Sequence, residues 1–297
     1  MLVLVAAHAV AALVAPGLVR ALDRRAFAVL ALVPAAAFAW ILLRLPDVLA
    51  GATPTEELPW VPALGMDLAV RLDPLSATVS LLVTGIGALV LLYCTRYFPP
   101  DTRGMGRFAA VLTAFAGAML ALVWSDDVFV LYVCWELTTV FSFLLVGQDS
   151  HKRASRAAAV QALVVTAAGG LTMLVGLVVL AQAAGTTRLS GVVAYFSGPS
   201  ATSVAIAAGV VCVLVGAITK SALVPFHFWL PSAMAAPTPV SAYLHAAAMV
   251  KAGVYLVLRL APGLADVEPW RPLVAAVAVT TMLLGGLQAL RQHDLKL

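Results

Sequence analysis

Three ionisable side chains lie inside long apolar runs of the sequence. Glu136 is the tenth residue of the apolar segment 127–147, and Lys220 and Lys251 lie within two later apolar segments. An ionisable group at the centre of a bilayer costs at least ~2.5–3.5 kcal/mol on insertion scales, so such residues face protein or water and usually serve a function. His245 shares a segment with Lys251, and histidine is the side chain whose ordinary pKa suits proton transfer near neutral pH. The four residues are therefore candidates for a proton relay through a membrane.

Each candidate also has a plainer interpretation. Glu136 could pair with a lysine simply to hold helices together, although a buried ion pair stabilises a fold poorly compared with apolar packing. A single buried histidine is more often a hydrogen-bonded core residue. His245 lies six residues from Lys251, which is about 240° around a helix, so the two do not share a helix face. Lys251 two turns away and Lys220 in the neighbouring segment favour the relay.

The sequence around Lys220 predicts a broken helix. The apolar run 204–230 has 27 residues, and a single helix of that length would be roughly 40 Å long, which exceeds the hydrocarbon core. Pro225 and Pro231 follow Lys220, and each proline removes a helical donor and clashes with the preceding turn. Transporters use such interrupted helices to present backbone groups to ions near the middle of the membrane. The alternative is a proline kink that serves packing alone.

The elements that must position these side chains are transmembrane helices. Of the 297 residues, 63% are hydrophobic and 11% are charged, with a mean hydropathy of +1.02, whereas soluble domains are roughly 45–50% apolar and about 25% charged. Because the bilayer core contains no water, each span must be helical to satisfy its backbone groups. The sequence therefore predicts an all-α, polytopic transmembrane helix bundle with a broken seventh helix. The nine expected spans are 2–19, 26–45, 75–94, 108–124, 127–147, 157–183, 204–230, 238–260 and 272–290.

Two of the loops have a recognisable pattern. Only Ser125 and Asp126 separate the fourth and fifth spans, which requires a tight helical hairpin. Between Trp60 and Asp73 the apolar residues alternate, and a period of two is typical of a strand. The sequence predicts a short surface β-hairpin here and an interfacial segment at 187–197. The alternating residues are Leu64, Met66, Leu68, Val70 and Leu72.

The distribution of basic residues predicts the orientation. The formal net charge is +4, but the Lys and Arg residues do not form a patch interleaved with aromatic residues, so nucleic acid is not an expected partner. The loops after the odd-numbered spans hold eleven Lys and Arg residues, and the alternate loops hold five. The positive-inside rule therefore predicts an N-terminus outside and a cytoplasmic C-terminus.

Several kinds of chemistry are not indicated by the sequence. It has no GxGxxG, Walker or CxxC motif, and Cys94, Cys134 and Cys212 lie in apolar runs as small hydrophobic residues. The pair Gly169-Gly170 in the sixth span permits close helix approach rather than phosphate binding. We therefore expect no cofactor, no metal site and no enzymatic activity.

Three segments resemble a known family. They are residues 131–138 (LYVCWELT), 219–231 (TKSALVPFHFWLP) and 236–253 (APTPVSAYLHAAAMVKAG). They are similar to the antiporter-like membrane subunits, which include the proton-pumping arm of respiratory complex I and the large subunits of Mrp-type Na+/H+ antiporters. The resemblance covers essentially the whole chain.

Within this family the sequence most resembles the large A-type subunits of Mrp antiporters. It carries both His245 and Lys251, and residues 167–173 (AAGGLTM) stand where complex I relatives typically have an Asn-Arg-x-Gly-Asp motif. Ser232 departs from the pattern, because the family usually has an acid after Leu-Pro.

The resemblance implies a bundle of two inverted helical repeats, each with a broken helix. Residues 1–107 would be N-terminal transmembrane helices with an extracytoplasmic hairpin loop, 108–260 the first repeat (spans four to eight), and 261–297 the start of a truncated second repeat. The chain is then expected to be an N-terminal fragment. Glu136 would pair with Lys220, and Lys220 would pass protons towards Lys251 and His245.

The implied function is that of one component of a monovalent cation/proton (Na+/H+) antiporter. It would work with other antiporter subunits in a hetero-oligomeric complex in the lipid bilayer of the bacterial inner membrane, with H+ and Na+ as substrates. One alternative is a proton-pumping subunit of a complex I or membrane-hydrogenase-type redox complex. A second alternative is a non-transporting assembly scaffold, which would have no need for Glu136 in lipid.

Overall fold

The chain folds as a bundle of apolar helices joined mostly by short turns, which confirms the predicted all-α membrane class. The computed structural model describes residues 1–61, 66–99, 102–199, 203–293 and 296. The helices in these ranges are α1 (Leu2–Leu22), α2 (Ala26–Leu49), α3 (Pro74–Tyr97), α4 (Met105–Trp124), α5 (Val128–Val146), α6 (Arg153–Ala184), α7 (Leu189–Phe196), α8 (Val204–Lys220), α9 (Trp229–Ala233), α10 (Thr238–Ser241), α11 (Met249–Leu264) and α12 (Trp270–Ala289).

The predicted spans coincide with these helices. Within the described ranges, seven helical segments are long and apolar enough to cross a bilayer. One of them has 48 residues, and a 3-10 turn at Asp23–Arg25 divides it into α1 and α2. The helix α8 is apolar but has only 17 residues, which corresponds to about 25 Å. The segment predicted to be interfacial, 187–197, contains the short helix α7.

A two-stranded antiparallel hairpin, β1 (Thr55–Val61) and β2 (Met66–Arg71), connects α2 to α3. The predicted β-hairpin is therefore confirmed, although its first strand begins at Thr55, before the alternating run. The alternation belongs to β2, whereas β1 is mostly exposed and has no buried face that the sequence could reveal. Leu64, which is part of the alternating run, lies outside the described residues.

Backbone hydrogen bonds connect the hairpin to the turn between α4 and α5. Val70 pairs with Ser125, and the Asp126 N–H donates to the Ala69 carbonyl at 2.9 Å. The side chain of Asp127 then caps α5, accepting from two backbone N–H groups at 2.9 and 3.1 Å. The tight turn predicted between the fourth and fifth spans is confirmed.

The same turn pairs with the connection between α6 and α7. Asp127 pairs with Arg188, and the Leu189 N–H donates to the Asp126 carbonyl at 2.8 Å. We call the side of the bundle that carries the hairpin and these two connections the hairpin face. The opposite side, with the turn Asp23–Arg25 and the α3–α4 and α5–α6 connections, is the arginine face.

Glycines let α6 and α8 pack at very short range. A Cβ atom added at Gly176 of α6 would lie 2.5 Å from the carbonyl oxygen of Gly209 on α8. Gly169 of α6 and Gly216 of α8 are equally crowded. Small residues of this kind allow two membrane helices to bring their backbones together, so the close approach predicted for Gly169-Gly170 is confirmed.

Two of the spans are interrupted. The helix α8 ends at Lys220, and the chain continues through a 3-10 turn to α9, which confirms the predicted broken seventh helix. The eighth span is also interrupted, because a π-helical turn, Ala242–Ala247, separates α10 from α11. The sequence did not indicate this second interruption, since the alanines of that turn favour a regular helix. Single π-helical turns occur frequently at functional sites.

Candidate functional site

Lys220 is the last residue of α8 and is fully buried. Its ammonium donates three hydrogen bonds to α5: to the Trp135 carbonyl at 3.0 Å, to Thr138 Oγ1 at 2.8 Å and to Thr139 Oγ1 at 2.7 Å. An ammonium has three donors and no acceptor, so three surrounding oxygens match its charged form. The Trp135 ring lies beside it, with its centroid 5.1 Å from Nζ, where the negative ring face attracts a cation.

The two threonine hydroxyls are oriented to accept from this ammonium. Thr138 Oγ1 donates to the Trp135 carbonyl at 2.7 Å, and Thr139 Oγ1 donates to the same carbonyl at 3.1 Å. Since the hydroxyl hydrogens are used within α5, the oxygen lone pairs are left for Lys220. We call Trp135, Thr138 and Thr139 the ammonium cradle. Residues three and four apart share one side of a helix, which is why a single turn of α5 presents all three oxygens.

Glu136 does not form the ion pair with Lys220 that the resemblance implied. The Lys220 nitrogen bonds to the cradle instead, and no contact within 4.0 Å joins it to the Glu136 carboxylate. Consecutive helix residues point about 100° apart, so Lys220 lies over Trp135 while Glu136 points towards α6. The two groups remain close enough to interact electrostatically.

The Glu136 carboxylate packs against the glycine pair of α6. A Cβ atom at Gly170 would occupy the position of Glu136 Oε1, and this oxygen has no hydrogen-bond partner among the described residues. Gly169 leaves room for the side chain of Thr219, the residue before Lys220. The glycine pair therefore allows a carboxylate from α5 and the last turn of α8 to meet at one place on α6.

His245 is connected to this site through Trp229. The two rings are in edge contact, with centroids 6.1 Å apart, and the Trp229 indole donates to the Thr219 carbonyl at 2.9 Å. His245 lies in the π-helical turn and is partly buried. Within the part of the chain that the structure describes, neither of its ring nitrogens has a hydrogen-bond partner. Both nitrogens are buried, so the hydrogen-bonding capacity of the ring is left unused in this arrangement.

Lys251 is not part of this cluster. It is exposed on α11, and its side chain makes no hydrogen bond or ion pair with any described residue. The helix turns its other side to α8, where Ser221 Oγ donates to the Val250 carbonyl at 2.8 Å. Of the four predicted site residues, the structure therefore brings together Glu136, Lys220 and, through Trp229, His245.

A second charged cluster lies at the hairpin face, and sequence reasoning missed it. Arg259 of α11 donates from Nη2 to Asp73 Oδ1 at 3.0 Å and from Nη1 to the other carboxylate oxygen. Its Nε donates to the Tyr255 hydroxyl at 3.0 Å, which in turn donates to the Val123 carbonyl at 2.6 Å. Asp73 also caps α3, accepting from the Ser76 N–H at 2.9 Å. Because 186 positions separate Asp73 from Arg259, no local spacing could reveal the pair.

The Asp73 carboxyl is held in its ionised form. Burial alone would raise its pKa, but the hydrogen bonds and positive charge of Arg259, with the Ser76 hydrogen bonds, outweigh burial and lower the pKa of Asp73 below its usual value. The side chains of Asp73 and Arg259 are only 10% and 13% exposed. The pair therefore joins α3 to α11 in a poorly solvated place.

Together, the fold and the site define a multi-pass helical membrane protein whose interrupted spans carry buried charge, the architecture of secondary transporters. A family model described as "NADH:quinone oxidoreductase/Mrp antiporter, TM" matches residues 125–297, and one described as "NADH-Ubiquinone oxidoreductase (complex I), chain 5 N-terminus" matches residues 60–109. The chain belongs to the NADH:quinone oxidoreductase/Mrp antiporter family, which confirms the resemblance seen in the sequence.

Relatives with curated names are antiporter subunits. The chain is 46% identical over 252 residues to a probable K(+)/H(+) antiporter A/B subunit of Rhizobium meliloti, covering 84% of this chain and 25% of that protein. It is 43% identical over 269 residues to the Na(+)/H(+) antiporter A subunit of Alkalihalophilus pseudofirmus, covering 86% of this chain and 33% of that protein. In the solved structure of the Mrp complex from Dietzia sp., a chain 39% identical superposes with a TM-score of 0.89 over 99% of this chain and 32% of the other. The chain thus spans a third or less of the length of these relatives.

Proposed function

We propose that this chain forms a proton-handling part of the large subunit of a monovalent cation/proton antiporter. The observation that carries the proposal is the buried ammonium of Lys220, held at the broken end of α8 next to the half-buried carboxylate of Glu136. Relatives named as K(+)/H(+) and Na(+)/H(+) antiporter subunits support H+ and a monovalent cation such as Na+ as substrates. The likeness to a chain of the Mrp complex supports other antiporter subunits as partners.

In this proposal the protonation of Glu136 controls the position of Lys220. When Glu136 is ionised, its charge competes with the cradle for the ammonium. When Glu136 takes up a proton, that competition ends and the ammonium stays in the cradle. Loss of a proton from Lys220 leaves a neutral amine with two donors for three oxygens, which weakens its attachment to Thr138 and Thr139. His245, behind Trp229, is the next group to receive a proton, and Lys251 provides a further site on the exposed side of α11.

The proposal extends to domain organisation. Residues 108–260, which include α5, α6, α8 and the interrupted eighth span, would form the first of two inverted repeats. Residues 1–107 would be an N-terminal unit that carries the hairpin, and residues 261–297 would begin the second repeat. A redox-linked complex would use the same charges, and the family description includes such complexes. The names of the curated relatives favour the antiporter.

Replacing Glu136 by glutamine tests the function directly. Glutamine keeps the shape of the side chain against Gly170 but cannot ionise, so we expect the complete complex to assemble in normal amount and to lose Na+-dependent dissipation of a pH gradient. The measurement is the recovery of acridine-orange fluorescence in everted vesicles from an antiporter-deficient bacterium. Glu57→Gln is the matched control, because Glu57 is 62% exposed in the hairpin, and it should retain exchange. Normal exchange with Glu136→Gln, or failure of the protein to accumulate, would assign Glu136 a packing role instead.

We also propose that the hairpin face is extracytoplasmic in the bacterial inner membrane, since the arginine face carries most of the basic loop residues. A cysteine at Thr55 should then react with a membrane-impermeant thiol reagent in intact cells, and one at Ser150 only after permeabilisation. The native thiols give a low background, because Cys94 and Cys134 are buried and Cys212 is partly buried. Labelling of both positions in intact cells, or of Ser150 alone, would reject this orientation.

A further inference from the structure

A cleft on the arginine face brings together three guanidinium groups. It has a volume of about 300 Å³ and is lined by Arg24 and Arg25 in the turn between α1 and α2, and by Arg96 in the last turn of α3. Among the described residues, none of the three forms an ion pair or donates a side-chain hydrogen bond. Like charges at one opening repel each other, and their unused donors favour an anion between them.

The backbone fixes where these arginines project. Asp23 ends α1 with a positive φ of 51°, and the 3-10 turn leads directly into α2. The helices α2 and α3 pack against each other in opposite directions, so the start of α2 meets the end of α3. The Thr95 hydroxyl, also in the cleft, donates to the Leu92 carbonyl of its own helix at 2.6 Å.

An exposed apolar strip continues from this cleft along both helices. On α2, Val29 and Leu32 follow Arg25 at spacings of four and seven, so they lie on its side of the helix, and they are 41% and 65% exposed. On α3, Leu92 and Leu89 precede Arg96 at the same spacings. They are 47% and 65% exposed. The cationic cleft is therefore the end of an apolar surface that extends into the bilayer.

We infer that this cleft binds the phosphate headgroup of an anionic phospholipid, whose acyl chains lie along the apolar strip. The planar fork of a guanidinium matches two phosphate oxygens at once, and basic pockets between helices at the membrane surface bind anionic headgroups. Three positive charges without a paired carboxylate among the described residues select a net-negative lipid over a zwitterionic one. The apolar strip selects a lipid over a free phosphate ion. This inference does not depend on the proposed transport function.

A binding measurement on the purified, delipidated complex tests the site. The probes are dioctanoyl phosphatidylglycerol, dioctanoyl phosphatidylcholine and inorganic phosphate, each titrated calorimetrically in detergent. We expect phosphatidylglycerol to bind most tightly, and the variant Arg24→Gln/Arg25→Gln/Arg96→Gln to weaken its affinity by roughly tenfold or more, because charge-assisted hydrogen bonds are lost. Arg44→Gln is the control, since Arg44 lies near the other end of α2, against the Trp40 ring at 5.7 Å, and should leave the affinity unchanged.

Three results would overturn the inference. They are equal phosphatidylglycerol binding by the triple variant and the wild type, equal binding of phosphatidylcholine and phosphatidylglycerol, and displacement of the lipid by inorganic phosphate at similar concentration. If the triple variant does not fold, as judged by its circular dichroism, single changes at Arg96 replace it. Arg96→Gln should then weaken phosphatidylglycerol binding more than Arg96→Lys, and binding equal to the wild type in both would equally reject the site.

Discussion

Replacing Lys220 by methionine is expected to abolish proton-coupled cation exchange while leaving the protein as stable as the wild type or more so. Methionine fills a similar volume and removes the cost of keeping an ammonium out of water, and it breaks no ion pair, because no contact within 4.0 Å joins Lys220 to Glu136. No cradle group is left without a partner, because Thr138 and Thr139 still donate to the Trp135 carbonyl. Loss of a positioned proton-transfer group typically lowers a rate by roughly 10²-fold or more, so exchange in everted vesicles should fall to background.

The matched control is Lys152→Met. Lys152 pairs with Asp149 at the surface and its side chain is 72% exposed, so exchange should persist.

The cradle supplies a stability test that needs no transport. Thr138→Val with Thr139→Val keeps the packing but removes two acceptors of a buried ammonium, which should cost about 1–3 kcal/mol for each lost bond. In a Lys220→Met background this cost should shrink by more than ~0.5 kcal/mol, the lower limit for residues in contact. Full exchange in Lys220→Met would show that transport does not need Lys220. An equal cost of the threonine changes in both backgrounds would show that Thr138 and Thr139 do not hold its ammonium.

Replacing Asp73 by asparagine should cause a large loss of thermal stability near neutral pH. Asparagine remains a good N-cap for α3, so the capping of the helix is kept. The loss of thermal stability therefore measures the ion pair, because the charge of Arg259 is left without its partner. Removing one member of a buried ion pair typically costs about 3–5 kcal/mol. The measurement is tryptophan-detected thermal unfolding of the purified complex. Asp266→Asn is the control, because Asp266 and Arg271 are 88% and 68% exposed and such surface pairs contribute about 0–1 kcal/mol.

The same pair predicts how stability depends on pH. The pKa of Asp73 is lowered in the folded protein, so its contribution is complete above the unfolded value of about 3.9 and is lost as the pH falls through the folded value. The wild type should therefore lose part of its stability below about pH 4, and Asp73→Asn should lack that part of the acid transition. Equal destabilisation by Asp73→Asn and Asp266→Asn, or an unchanged acid transition in Asp73→Asn, would show that Arg259 does not depend on Asp73.

The parts of the fold that follow from local pattern could be predicted from the sequence. Apolar runs and proline positions indicated the spans and the break after Lys220, because both depend on residues close together in the chain. The hairpin was located from the alternation in β2, but the exposed strand β1 left no such pattern. The π-helical turn before α11 escaped prediction, since no residue type marks it.

The candidate site was predicted only in part, because its details depend on how helices are rotated against one another. The sequence placed Glu136 in the fifth span and Lys220 in the seventh. It did not reveal the roughly 100° that separates Glu136 from Trp135 around α5, which directs Lys220 to the hydroxyls of Thr138 and Thr139. Two adjacent threonines one turn after Trp135 were the available signal. They were indistinguishable from threonines that bond only to their own helix.

The backbone bonds that run from β2 through the α4–α5 turn to the α6–α7 connection have a mechanical consequence. They join the ends of α4, α5, α6 and α7 by main-chain groups, with N–O distances of 2.8 and 2.9 Å. We therefore expect the hairpin-face ends of these four helices to move together, so that a change in the tilt of one helix is passed on to the other three.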